Sequence, residues 1–183
     1  QLEDDDVVDR VIGATTVNVG AASGAAGTVT VGDLLLIIQM QGAALNTNND
    51  ERYGNGVGTN GSQPDTSLSQ ANGYSAGNFY VGAYQFLRVT AKNNAAITFT
   101  PALTQAYQQN TGTPRIYQVI RVPQYPAVTI DSANPVLPLP WNGLVGGVVA
   151  IDVAGRTTFV GSGPHMDASN RGYRGGEQGV NNS

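Results

Sequence analysis

Behind a Gly32-Asp33 turn signal stands an unbroken aliphatic run, Leu34-Leu35-Leu36-Ile37-Ile38. In an extended strand, neighbouring side chains point to opposite faces, so five large apolar residues in a row leave neither face for water. The run therefore predicts a strand buried on both sides. A chain that holds such a strand must supply two covering layers. On either side the pattern changes: Thr28-Val29-Thr30-Val31 alternates and predicts a half-exposed strand, and Gln39-Met40-Gln41 returns to alternation.

The rest of the chain repeats this in shorter pieces. Strand patterns fall at Val7–Ile12, Thr15–Val19, Phe79–Thr90 (a strand pair), Ala96–Phe99, Ile116–Val122, Ala127–Ile130, Val145–Val153 and Thr157–Val160. No stretch carries apolar residues at helical spacing over three turns. About ten short strands at roughly 8–12-residue spacing predict an all-β, β-sandwich or jelly-roll-like fold. Within it, Val148, Val149, Ile151 and Val153 read as core, with Trp141 covering one end. Pro123, Pro126, Pro135, Pro138 and Pro140 predict an extended crossover between sheets. The Gly-rich stretch after Gly161 reads as the opening of a repetitive, β-helix-like segment. The predicted organisation is a β-sandwich domain over 1–156, with a long Asn/Gly/Ser-rich loop at 42–78, and a Gly-rich extended segment over 157–183.

Composition narrows the partners. Of 183 residues, 24 are Gly and 12% are charged, with a net charge of −4. Low charge argues against a solvated disordered chain. Lys92 is the single lysine, so no basic face forms to neutralise phosphates, and nucleic acid is not an expected partner. No cysteine is present, which excludes disulfides and thiolate chemistry. No apolar run reaches membrane-spanning length.

Catalytic groups are sparse. His165 is the single histidine, and Ser162, His165 and Asp167 lie close together on one extended segment. A triad needs groups converging from separate elements, so no catalytic residue is assigned and no enzyme is expected. Asn48, Asp50 and Glu51, in the long loop, are the candidate calcium ligands, because hard cations take clustered oxygens. Their spacing is not that of an EF-hand, and no other cofactor is expected. The acidic Glu3-Asp4-Asp5-Asp6 run reads as a solvated terminus. Lys92, in Ala91-Lys92-Asn93-Asn94, reads as a solvated residue at a hairpin turn rather than a cross-linking lysine. Eight tyrosines outnumber the other aromatics, and Tyr53 and Tyr74, beside Asn and Gln, are the candidate glycan-binding residues.

A set of short motifs recurs in one order: Gly32–Ala43, Tyr53-Gly54, Gly77-Asn78-Phe79-Tyr80, Gln118–Tyr125, Trp141-Asn142-Gly143, Gly146–Ala150 and Gly172-Tyr173-Arg174-Gly175-Gly176. From about Val11 to Gly176 the chain resembles the N-terminal region of large secreted or surface-anchored bacterial proteins of Bacteroidota and myxobacteria. That group includes adventurous gliding motility protein C-like proteins and adhesin-like substrates of the type IX secretion system. The resemblance implies an extracellular or cell-surface, all-β, non-enzymatic module, and it carries over no catalytic residue. The function expected is a structural or adhesive surface protein, a self-assembling filament or surface-layer subunit that pairs through terminal strands. A homo-oligomer or polymer follows, with an intermolecular contact at the Gly172–Gly176 end. The alternative is a carbohydrate-binding module of a larger secreted protein, with surface glycans as partners.

Overall fold

The computed structural model describes residues 11–24, 27–42, 81–109 and 115–172. The chain is all-β: nine strands and no helix occur among these residues. Correspondingly, no helix among them is long and apolar enough to cross a membrane.

Five strands form one antiparallel sheet in the order β1-β4-β3-β2-β5: β1 is Thr16–Asn18, β2 Leu34–Gln41, β3 Tyr84–Asn93, β4 Ala96–Thr100 and β5 Ile116–Val122. The aliphatic run sits in β2, between β3 and β5, and is covered on both faces as its pattern predicts. Leu35 and Ile37 join Val17, Leu87, Val89, Ile97, Phe99 and Val119 in the larger core. Val19, Val29, Leu103 and Tyr107 add to it from outside the strands. On the opposite face, Leu36, Ile120 and Val122 pack with Val148 and Ala150. Among the described residues, that face is covered only over β2 and β5. Over β3 it is bare, and Tyr84 and Phe86 lie exposed.

Thr28–Val31 forms no strand but leads into a turn held by Asp33, whose carboxylate accepts the Thr30 N–H at 2.8 Å. The same carboxylate takes the Arg121 guanidinium in a two-bond fork at 2.8 and 3.0 Å, tying the turn to β5. Turn chemistry here overrode the alternating pattern. Tyr84–Asn93 is one long strand rather than half of a pair within Phe79–Thr90. It closes on β4 through Asn94, which adopts a left-handed φ of 51°. Lys92 is exposed beside that turn, as expected.

The remaining strands are β6 (Gln124–Tyr125), β7 (Val128–Asp131), β8 (Asp152–Val153) and β9 (Thr157–Val160). β6 pairs with β8, and β7 with β9, both in parallel. The proline-punctuated stretch is thus not a bare crossover but the first of two passes that lie side by side. The predicted strand over Val145–Val153 survives only as β8, and Val148, Val149, Ile151 and Val153 are half-buried rather than core. Trp141 and Val145 are the buried residues of that region.

The reason lies at Gly146. Gly146 has φ of +122°, and a Cβ there would run into the Pro140 carbonyl and the Trp141 backbone. Its N–H donates to Gln118 Oε1 and its carbonyl accepts from Gln118 Nε2, each at 3.0 Å. The bend that lets a fully buried glutamine of β5 grip this backbone on both sides ends any straight strand through it.

Candidate interaction surface

The geometry of the two passes singles out their outer side. Gln124 lies opposite Asp152, and Val128 to Asp131 lie opposite Thr157 to Val160. Val136 bridges Met166, again in parallel. The Trp141 N–H donates to the Arg171 carbonyl at 2.9 Å, and an Arg171 guanidinium nitrogen reaches the Pro138 carbonyl at 3.2 Å. Residues 124–141 are the lower pass and 152–171 the upper pass, stacked along their whole length.

Residues in register on a parallel ladder place their side chains on the same side. Equivalent positions of the two passes should then share a fate, and they do not. Ile130 is 3% exposed, whereas its register partner Phe159 is 55% exposed. Val128 and Val136 are half-buried, whereas Thr157 and Met166 are exposed. All four residues of β9 are open to water. No described layer stands over β9, whereas at the β6–β8 rung the order reverses, with Tyr125 exposed and Val153 half-buried.

Its backbone edge is open as well. Val128 N–H donates to the Arg156 carbonyl at 3.1 Å, and Ser132 N–H to the Val160 carbonyl at 2.9 Å. These bonds turn Arg156 and Val160 toward the lower pass. By strand alternation the N–H and C=O of Thr157 and Phe159 face the other way. No described strand pairs with β9 on that side. Exposed apolar side chains beside an unpaired strand edge form a template for another strand.

His165 belongs to this surface. Its ring lies 5.0 Å from that of Phe159, and Nε2 is 2.9 Å from the Val160 carbonyl. Asp167 is turned elsewhere, its Oδ1 accepting the Ser169 N–H at 2.8 Å. The Ser169 bonds, with Arg171 nearby, hold the Asp167 carboxyl below the ordinary carboxylate range. His165 is therefore engaged in shaping the surface next to Phe159.

The residues singled out from the sequence as binding or metal-ligating, Tyr53, Tyr74, Asn48, Asp50 and Glu51, lie outside the described residues, as do Glu3–Asp6 and most of the Gly42–Asn78 loop. Among the described residues no three acidic or histidine side chains gather as a metal site. The surface on the upper pass was missed residue by residue. Of the four register pairs of the β7–β9 ladder only Thr129 and Thr158 are identical, so no repeat marks the surface in the sequence.

Compared with known proteins, the chain matches no family model, no curated sequence and no solved structure.

Proposed function

We propose that this chain is a non-enzymatic structural or adhesive module of an extracellular bacterial surface protein, and that it associates through the open side of its upper pass. The architecture we assign to it is a sandwich-like antiparallel body leading into a β-helix-like segment. The observation that carries the reading is the unequal fate of Ile130 and Phe159, equivalent positions of one ladder. A strand edge left open beside apolar side chains gains both hydrogen bonds and buried area from a further parallel strand. The order of motifs from Gly32 to Gly176 supports the surface-protein context. A contact between the upper pass of one copy and a different surface of the next is head-to-tail, and it extends into a polymer when the rotation between copies does not close a ring.

The test is light scattering after size exclusion over a hundredfold concentration range, with negative-stain microscopy of the concentrated sample. The wild type should grow with concentration into filaments or sheets. Phe159→Lys should keep the chain monomeric at every concentration without unfolding it. A wild type that stays monomeric throughout, or a Phe159→Lys variant that assembles like the wild type, refutes assembly by this surface.

A further inference from the structure

A second exposed feature lies away from Phe159, on the bare part of the five-stranded sheet. Tyr84 and Phe86 are two apart on β3 and so share a face. They are 58% and 46% exposed, with ring centroids 6.0 Å apart and planes at 83°. Arg88 is the next residue of that face and is also exposed. Its Nη1 donates to the Gly32 carbonyl at 2.7 Å and to Gln124 Oε1 at 3.3 Å. Gln124 in turn donates from Nε2 to Asp152 Oδ2 at 2.8 Å. Two apolar rings thus run into a row of guanidinium, amide and carboxylate, each member held by the next. The strip crosses from the sheet onto the β6–β8 ladder.

We propose that the Tyr84–Phe86–Arg88–Gln124–Asp152 strip binds a neutral polysaccharide. A pyranose offers an apolar C–H face beside hydroxyls that both donate and accept, and the strip presents the matching chemistry in the same order. With their planes at 83°, one ring stacks its face against the C–H face while the other flanks it edge-on. Arg88 and Gln124 donate to hydroxyl oxygens, and Asp152 accepts from hydroxyl hydrogens. Charge complementarity selects the neutral class: Arg88 is balanced by Asp152 through Gln124, so the strip has no single-sign field to attract a polyanion. The row is preorganised by its own hydrogen bonds, which lowers the ordering cost of binding. An apolar protein partner is a poorer fit, since half of the strip would lose water without regaining its hydrogen bonds. Glycan binding by the strip is independent of association through the upper pass, and it gives the adhesive module a ligand class.

Native gels cast with a β-glucan, a xylan, a mannan or an α-glucan test it on the full chain, with pectate and alginate as anionic controls. At least one neutral polymer should retard the wild type, and free oligosaccharide of the same linkage should reverse the retardation. Tyr84→Ala and Phe86→Ala should each weaken binding about tenfold, as truncation of an aromatic anchor does. Asp152→Asn should weaken it less. Unchanged urea midpoints for the two aromatic variants show that they fold, because both rings are already exposed. No retardation by any neutral polymer, retardation by the anionic polymers alone, or full binding by the Tyr84→Ala/Phe86→Ala double variant overturns the proposal. So does a loss of binding in Tyr53→Ala or Tyr74→Ala with the strip variants unaffected, which moves the site to the 42–78 loop. Phe159→Lys should bind the polymer like the wild type, so a failure of assembly and a failure of glycan binding are read separately.

Discussion

The five-stranded sheet and the stacked passes use the same kinds of residue and end differently. In β2, Leu35 and Ile37 lose all contact with water, and the polar Gln39 beside them is equally buried. That glutamine is matched: its Nε2 donates to the Gln41 and Gln108 carbonyls, and its Oε1 accepts the Gln108 N–H. In β9, Phe159 and Val160 stay wet. The central strand β2 commits its apolar residues to its own stability. In the upper pass, β9 leaves its apolar residues exposed. Burial in equivalent positions thus separates regions that a strand pattern alone treats alike.

The largest expected effect tests whether the two regions are one cooperative unit. Gly146→Ala should cost about 4 kcal/mol, at the upper end for single substitutions, because the new methyl meets backbone rather than a yielding side chain. Urea unfolding followed by both fluorescence and circular dichroism reads it. A single transition shifted as a whole keeps the regions joined through the Gln118–Gly146 clamp. Two transitions, with the sheet's unchanged, separate them.

Next in size is the direct contrast. Ile37→Ala should lower stability by about 3 kcal/mol. Phe159→Ala should change it by less than about 0.5 kcal/mol, as an exposed position does. Equal losses from the two substitutions, measured in dilute solution, would mean that the upper pass is as sealed as the sheet.

Smaller still is the effect of acid on the turn that seats the sheet. The Arg121 fork, with help from Thr30, holds the Asp33 carboxyl below its ordinary value of 3.8. A depressed folded-state value means that the pair's contribution is complete above pH 3.8 and fades as pH falls through the lower value. Both side chains keep some exposure, so solvent screening limits it to about 1 kcal/mol. Asp33→Asn should cost that much at neutral pH, and the gap to the wild type should narrow below pH 3.8. A gap that is constant with pH contradicts the ion-pair account.

The smallest change should be a gain. Tyr107 Oη is buried with no hydrogen-bond partner among the described residues, and burial pushes its hydroxyl up to about 12. Tyr107→Phe removes an unsatisfied polar atom while keeping the ring beside Tyr117, so it should stabilise by about 0.5–1 kcal/mol. A loss in urea midpoint instead would show that the hydroxyl has a partner.

What the sequence made legible follows from range. β5 and β9 fall on Ile116–Val122 and Thr157–Val160 as the strand patterns predict, and the both-faces burial of Leu34–Ile38 came from local alternation alone. The failures were set by distant partners. Val145–Val153 is as apolar as β2, but it bends because Gln118, far earlier in the chain, holds Gly146. The parallel pairing of β7 with β9 depends on a register between Val128 and Thr157, a separation that no local window contains. The exposed strip was illegible for the same reason, since Arg88 and Gln124 meet only once the sheet is built.

The pairs Gln124–Asp152, Val128–Thr157 and Val136–Met166 carry a last consequence, because the distance along the chain between partners grows by one from each pair to the next. Each corner of the upper pass is longer by one than the corner beneath it. Pro126-Ala127 turns the lower pass where Ala154-Gly155-Arg156 turns the upper, and Ser132–Pro135 turns it where Gly161–His165 does. Straight segments stay in step while the corners absorb the surplus. Length is therefore written in rungs rather than in residues, and a corner takes up an extra residue while the strands on either side keep their register.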